Sequence, residues 1–161
     1  MEGRFLEVVE RMDRGEINLD VFLGVLANIS GQTTDDILEE MEDGAQVDYK
    51  VLEIIEKLHS HYKIGLLSNA PSNFLRTLLN EHDLEKHFDE IVISSEVGLI
   101  KPSPEMFNYI LSKMELKSQE VVFIDDNPSN VDGAQKVGIN GILYTGVVNL
   151  KENLTKLSII V

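Results

Sequence analysis

Three polar clusters in this sequence have residue types that together could bind and transfer a phosphoryl group. Ser68 and Asn69 follow one short apolar run, and Lys101 lies in a loop rich in Gly and Pro. Asp125 and Asp126 end a second apolar run. A phosphoryl site needs charge neutralisation around the phosphate oxygens and a metal that bridges phosphate and carboxylate. A hydroxyl, an amide, a fixed cation and an acidic pair meet most of these needs.

The acidic pair suits Mg²⁺, a hard cation that takes oxygen ligands, commonly one or two carboxylates with water at the remaining positions. Each cluster alone also has an ordinary structural explanation. Ser68 and Asn69 are typical of the turn after a strand, Lys101 of a surface loop, and the run Asp-Asp-Asn-Pro at 125–128 of a helix cap. Their order along the chain, each at the end of an apolar run or in the loop after one, favours a shared phosphate site.

The composition indicates a globular protein that does not bind nucleic acid. The 161 residues are 43% hydrophobic and 26% charged, which is enough apolar material for one core. A net charge of −14 disfavours DNA, RNA and anionic membranes as partners, because lysines and arginines are what bind phosphate backbones. The sequence has no Cys, no 18-residue apolar stretch and no basic-then-apolar leader. We therefore expect a soluble cytoplasmic protein.

The first part of the chain has the pattern of an acidic helical region. Apolar residues recur at helical spacing over residues 5–13 and 20–29, and cap-forming residues at 33–36 precede a third short helix. Residues 1–50 hold 13 acidic against 4 basic side chains. We interpret residues 1–48 as a small helical cap region with a solvated acidic face.

After residue 48 the pattern changes to short strands that alternate with helices. The strands are predicted from apolar runs at residues 64–67, 91–93, 121–124 and 141–144. This alternation is typical of βαβ units, so residues 49–161 are predicted to form an α/β core with a Rossmann-like parallel sheet. Such sheets bind ligands at the carboxyl ends of their strands, where Ser68, Asp125 and Asp126 fall.

The three clusters resemble motifs of the haloacid dehalogenase-like superfamily, in its phosphatase-type subgroup with a small helical cap. Ser68 and Asn69, in Leu-Leu-Ser-Asn, resemble the second motif, in which the hydroxyl and the following backbone amide hold the phosphate. Lys101, in Gly-Leu-Ile-Lys-Pro-Ser-Pro, resembles the third, whose lysine neutralises the phosphate and the nucleophile. Asp125 and Asp126, in Phe-Ile-Asp-Asp-Asn-Pro, resemble the fourth, which implies that Asp126 ligates Mg²⁺ with Asp125 assisting.

The first motif of that family, an apolar strand that ends in Asp-x-Asp, has no match in this sequence. In the family the first of these aspartates attacks phosphorus and the second protonates the leaving group. The resemblance, which covers about residues 15–147, therefore implies an N-terminally incomplete chain that is inactive alone and binds Mg²⁺ weakly.

The resemblance also implies a gap in the sheet, because the absent strand would lie between the strand that ends at Ser68 and the one that ends at Asp125. Two unpaired strand edges in a hydrophobic interior are unfavourable. We expect the gap to be filled in one of three ways: the two strands close together, the apolar tail at residues 158–161 moves in, or a second chain contributes in a homodimer. The tail is otherwise predicted to form a small edge strand or to pack on an open surface.

Two functions from different classes stay open. The first is Mg²⁺-dependent hydrolysis of a small phosphorylated metabolite, with Ser68 and Lys101 in catalytic roles, and the second is a non-catalytic phosphate-binding or regulatory module. A 2-haloacid dehalogenase is disfavoured, because the metal-suited acidic pair has no purpose when halide leaves carbon. A receiver domain is disfavoured because its acidic pair comes in its first strand.

Overall fold

The computed structural model of the chain describes residues 2–159, without the side chains of Glu2 and Arg4. Its helices are α1 Glu2–Asp13, α2 Leu19–Ser30, α3 Thr34–Gly44, α4 Tyr49–His59, α5 Ser72–Glu81, α6 Ser94–Val97, α7 Pro104–Met114, α8 Pro128–Lys136 and α9 Val147–Lys156. Its strands are β1 Gly65–Ser68, β2 Glu90–Ile93, β3 Val122–Asp125 and β4 Asn140–Leu143. No helix in this described part is long and apolar enough to cross a membrane.

The three predicted N-terminal helices are confirmed as α1, α2 and α3. Asn18 caps α2 by accepting a hydrogen bond from Val21 N at 2.9 Å, and Thr33 forms a capping box with Asp36 at the start of α3. The buried faces of the three helices form one apolar cluster, whose members include Val8, Met12, Leu19, Phe22, Leu23 and Ile37. The division of the chain at residue 48 into a cap and a core remains a prediction.

The strands pair in parallel, as the alternating pattern predicts, but they form two ladders rather than one sheet. β1 pairs with β2 from Gly65 to Ser68, and β3 pairs with β4 from Val122 to Asp125. Among the described residues no ladder joins β1 to β3, so the first of the three possible ways to fill the gap, in which these two strands close together, does not occur. The mid-strand residue Ile124 is 38% exposed, which is consistent with an uncovered edge beside β3.

Helices on both faces hold the two ladders side by side. On one face, α7 packs its Phe107 and Met106 in a cluster that reaches Leu67 of β1 and Phe123 of β3. On the other face, α4 and α9 pack together over Ile142 of β4. Burial of apolar surface between these helices and the strands therefore holds the two ladders together, as strand pairing would in a continuous sheet.

The C-terminal segment differs from the expected edge strand. Residues 147–156 form α9, whose Leu150 and Leu154 are almost fully buried, and Ile159 packs against the same cluster. Ser158 and Ile159 are not in a strand, and residues 160–161 lie outside the described part of the chain. Of the two alternatives expected for the tail, the packing of Ile159 agrees with packing on an open surface, and the described residues show no edge strand, because Leu150 and Leu154 recur at helical spacing.

Candidate active site

The carboxyl ends of β1 and β3 open into one cavity of about 430 Å³. β1 and β3 contribute residues to the lining of this cavity, whereas β2 and β4 do not. All five site residues expected from the sequence lie around it. The lining residues are Asp13, Ser68, Asn69, Lys101, Pro102, Asp125, Asp126, Asn127, Ser129 and Asn130.

The side chain of Asn69 fixes the loop that carries Lys101. Its Oδ1 accepts a hydrogen bond from Lys101 N at 2.9 Å, and its Nδ2 donates to Lys101 O at 3.0 Å. Both polar atoms of the amide are therefore used within the protein. The side chain of Asn69 positions Lys101, while the expected grip on phosphate by its backbone stays a prediction.

Lys101 and Asp125 form an ion pair at the base of the cavity. The Lys101 Nζ atom donates to Asp125 Oδ2 at 2.7 Å, and the two side chains are only 10% and 7% exposed. Asp125 Oδ1 also accepts hydrogen bonds from Asn127 N at 2.8 Å and Asn130 Nδ2 at 3.0 Å. Burial acts to raise the pKa of Asp125, but the bonds from Lys101, Asn127 and Asn130 outweigh it and lower that pKa below its ordinary value.

This ion pair ties the two ladders together where the sheet is not continuous. Asn69 follows β1 and holds the Lys101 backbone, while the Lys101 ammonium holds Asp125 at the end of β3. The Lys101 ammonium has three N–H donors, and one of them donates a hydrogen bond to Asp125. The remaining donors and its positive charge suit an anion in the cavity.

The residues after β3 have different positions: one caps the helix α8 and another faces the cavity. Asn127, and not either aspartate, caps α8 by accepting a hydrogen bond from Ser129 N at 2.9 Å. The carboxylate of Asp126 is left exposed at the cavity. Among the described residues no group of three or more His, Cys, Asp or Glu side chains is arranged to hold a metal ion. Because both oxygens of Asp125 accept hydrogen bonds within the protein, Asp126 is the free carboxylate, which fits a cation that binds one carboxylate and otherwise water, as Mg²⁺ can.

Asp13, the last residue of α1, is a cavity residue that the sequence does not reveal. It is held there because the end of α1 packs on α6, where a Cβ atom on Gly15 would lie 2.4 Å from the Ser95 carbonyl oxygen. Gly15 also has φ of +72°, which favours glycine. Asp13 ends a helix and not a strand, so the search for carboxylates at strand ends does not find it. The one sequence signal is Gly15, two residues later, because a glycine allows another backbone segment to lie close to it.

Replacing Asp13 with Asn is expected to stabilise the protein at pH 8. Burial raises the pKa of Asp13 from 3.8 to about 6, although Lys101 opposes the shift. Asp13 thus contributes stability that is fully present below its unfolded pKa and is lost as the pH rises through about 6. The shift corresponds to roughly 3 kcal/mol at most, and partial exposure reduces the expected gain to about 1 kcal/mol.

Urea unfolding of both proteins at pH 8 and pH 4.5 measures this gain, which is expected to fall to about a third at the lower pH, because pH 4.5 is below the folded pKa but still above the unfolded one. Glu7→Gln, on the exposed side of the same helix, is the matched control and should change little. An equal gain at both pH values would show that ionisation of Asp13 is not its cause.

The comparisons with known proteins define the class of this protein. The family model described as haloacid dehalogenase-like hydrolase matches residues 28–144. Because this match covers more than half of the chain, the protein belongs to the haloacid dehalogenase-like hydrolases. The family resemblance read from the three clusters is confirmed.

Several relatives are phosphatases. The chain is 29% identical to the phosphoglycolate phosphatase of Aliivibrio fischeri over 96 residues, which are 59% of this chain and 42% of that protein. It is 22% identical to the D-ribitol-5-phosphate phosphatase of Bacteroides thetaiotaomicron over 159 residues, 92% of this chain and 76% of that protein. It is also 37% identical to bifunctional epoxide hydrolase 2 of Mus musculus over 76 residues, 47% of this chain and 14% of that protein. The chain thus spans less than half of the mouse and Aliivibrio proteins.

Solved structures confirm the predicted α/β fold. A HAD-like family hydrolase from Porphyromonas gingivalis superposes with a TM-score of 0.79 at 22% identity, over 94% of this chain and 78% of that one. A HAD family enzyme from Bacteroides thetaiotaomicron, crystallised with magnesium and inorganic phosphate, gives a TM-score of 0.71 at 22% identity, over 83% and 72% of the two chains.

Proposed function

We propose that this chain provides the phosphate-binding and metal-binding parts of a phosphatase that hydrolyses small phosphorylated metabolites. The observation that carries the proposal is the convergence of Ser68, Lys101 and Asp126 on one cavity. A hydroxyl donor, an ammonium and a free carboxylate are the groups that phosphoryl transfer requires from its surroundings. Relatives that are named as phosphatases for phosphoglycolate and ribitol 5-phosphate support this substrate class.

Each residue has a separate task in this proposal. The Ser68 hydroxyl donates a hydrogen bond to one phosphate oxygen, and Lys101, held by Asn69, neutralises the others. Asp126 holds Mg²⁺ and Asp125 keeps Lys101 in place. Mg²⁺, when bound, supplies positive charge to the phosphoryl oxygens. The magnesium and phosphate in the related Bacteroides enzyme support this assignment.

The proposal places the nucleophile outside these 161 residues. The sequence has no Asp-x-Asp, and the carboxylate of Asp125 is committed to Lys101. Attack on phosphorus therefore needs a carboxylate on a strand that enters between β1 and β3. The 161-residue chain by itself is expected to bind phosphate and Mg²⁺ and to have little or no turnover.

Calorimetric titration with inorganic phosphate in the presence of Mg²⁺ tests the binding site. We expect saturable binding that weakens about tenfold in Ser68→Ala, which is the usual effect of losing one hydrogen bond to a charged ligand. Ser112→Ala, on the exposed face of α7, is the matched control and should bind as the parent does. Absence of phosphate binding, or equal binding in Ser68→Ala, would refute the assignment.

A second function is a non-catalytic phosphate-binding or regulatory module. It is favoured by the absence of a nucleophile from a cavity that keeps the phosphate-binding groups. The two functions differ in one result: binding without turnover, even after a strand that ends in Asp-x-Asp is supplied, would favour the module.

A homodimer is one further way to cover the free edges of β1 and β3. Size-exclusion chromatography with light scattering tests it directly. A monodisperse monomer would exclude the contribution of a second copy to the gap.

A further inference from the structure

The balance of charge in the cavity restricts what the phosphate can be attached to. Among the described residues that line the cavity, Lys101 is the only base, against the carboxyl groups of Asp13, Asp125 and Asp126. The charge of Lys101 is already shared with Asp125 at 2.7 Å. A divalent cation at Asp126 would only offset that carboxylate and part of a phosphate dianion. No positive charge is left for a second anionic group on the substrate.

The negative charge of Asp13 restricts the substrate at one wall of the cavity. It belongs to the helical region, whereas Ser68, Lys101 and Asp126 come from the rim of the two ladders. Asp13 and the three phosphate-binding residues line the same cavity, so a substrate whose phosphate lies at Ser68, Lys101 and Asp126 has room to place its next group beside Asp13. The group that the substrate presents there meets the Asp13 carboxyl.

The Asp13 carboxyl is available for such a contact. Within the described part of the chain it has neither an ion-pair partner nor a hydrogen bond, although it is half-buried and the surrounding ion pairs and hydrogen bonds involve Glu10, Arg14 and Lys101. Because the Asp13 carboxyl lines the cavity and is not bonded to any described side chain, it is free to bond a ligand there. The burial that raises its pKa agrees with this placement.

The end of α1 is also fixed firmly enough to discriminate between ligands. Gly15 lies against the Ser95 carbonyl, and the Arg14 guanidinium donates to Gly98 O at 3.5 Å and to Glu10 Oε1 at 3.0 Å. Met12, next to Asp13, is buried in the helical cluster. These contacts fix the backbone on both sides of Asp13, so its Cα cannot move away from the cavity without loss of packing.

We propose that Asp13 is a specificity-determining residue that selects phosphomonoesters with an uncharged, hydroxyl-bearing or cationic group next to the ester and rejects those with a second anion. A substrate hydroxyl or ammonium donates a hydrogen bond to the Asp13 carboxylate, whereas a substrate carboxylate is repelled by it. This inference rests on the proposed phosphate site and specifies its substrate class. It favours polyol-type phosphates over phosphoglycolate-type substrates.

Three ligands of similar size that differ in one terminal group provide the test by calorimetry: 2-hydroxyethyl phosphate, phosphoethanolamine and 2-phosphoglycolate. The parent chain with Mg²⁺ is expected to bind the hydroxyethyl and aminoethyl esters about tenfold more tightly than phosphoglycolate, which is a typical effect of one like charge nearby. In Asp13→Asn this preference is expected to fall to within about twofold. The same three titrations with Glu7→Gln remove one charge from the exposed side of α1 and should leave the preference unchanged.

The measured quantity is the ratio of the affinity for the hydroxyethyl or aminoethyl ester to the affinity for phosphoglycolate. A change that weakens phosphate binding equally for all three ligands does not alter this ratio. Inorganic phosphate, titrated into each variant, reports the shared site separately. If it fails to bind the parent chain, the proposed phosphate site falls and this inference falls with it. If it binds while Asp13→Asn keeps the parent's preference, or the parent shows none, only the role of Asp13 is overturned.

Discussion

Fusing a β-strand that ends in Asp-x-Asp ahead of this chain is expected to raise its Mg²⁺-dependent hydrolysis of a phosphomonoester by about four orders of magnitude or more. Removal of the nucleophile from a concerted site commonly costs a factor of roughly 10⁴ to 10⁶ in turnover. The fused strand would supply this one missing group to a cavity that already holds Ser68, Lys101 and Asp126. Release of inorganic phosphate from 2-hydroxyethyl phosphate measures the gain.

The structure offers a place for such a strand between β1 and β3. Each of these strands is paired on one side only, and both end at the same cavity. A strand that runs parallel to them would pair with both, cover Ile124 and deliver its last residues to the rim beside Lys101. Because parallel strands have their carboxyl ends at the same edge of a sheet, the register in which the fused strand pairs determines where its two carboxylates lie.

A fusion that ends in Asn-x-Asp is the matched control, since it can complete the sheet without providing a nucleophile. Both fusions are expected to raise the thermal midpoint, but only the Asp-x-Asp version should turn over substrate, and Asp126→Ala should abolish that turnover. Robust Mg²⁺-dependent hydrolysis by the unfused chain that disappears in Asp126→Ala would instead show that the chain is complete as an enzyme.

Lys101→Met is expected to destabilise the protein by about 3–5 kcal/mol at pH 7.5, which is the usual cost of removing one partner from a buried ion pair. The substitution leaves the Asp125 carboxylate, whose side chain is only 7% exposed in the parent, with only its bonds from Asn127 and Asn130. It also removes the charge that bridges the two ladders. Urea unfolding gives the free energy, and Lys113→Met, on the exposed face of α7, is the matched control.

The effect of Lys101→Met should depend on pH in a defined direction. The lowered pKa of Asp125 in the parent means that this pair contributes stability above the unfolded pKa and loses it as the pH falls through the folded pKa. The difference between parent and Lys101→Met is therefore expected to persist from pH 7.5 to about 4 and to shrink as the pH falls below the unfolded pKa. The double variant Lys101→Met with Asp125→Asn, which has no buried charge, should regain at least about half of the lost stability. A double variant as unstable as Lys101→Met would refute this account.

Much of the core was predictable because it depends on local patterns. Short apolar runs separated by helical spacing identify β1 to β4 and the helices between them, since each element must bury one face against the next. The same patterns predict that Ser68 and Asp125 come together, because the carboxyl ends of parallel strands share an edge. The apolar run after α9 predicts an edge strand, whereas the helical spacing of Leu150 and Leu154 within α9 is what the structure follows.

The amino-acid sequence by itself determined the family, the parallel α/β class and the three clusters around the cavity, because these follow from residue types at the ends of periodic segments. Only the tertiary structure decided that the sheet is split into two ladders, that Asn69 holds Lys101, and that Asp13 reaches the cavity from α1. These features depend on packing between segments that are distant in sequence. Asp13 reaches the cavity only because Gly15 lets α1 approach the Ser95 carbonyl, and no spacing within the chain encodes a contact over 80 residues.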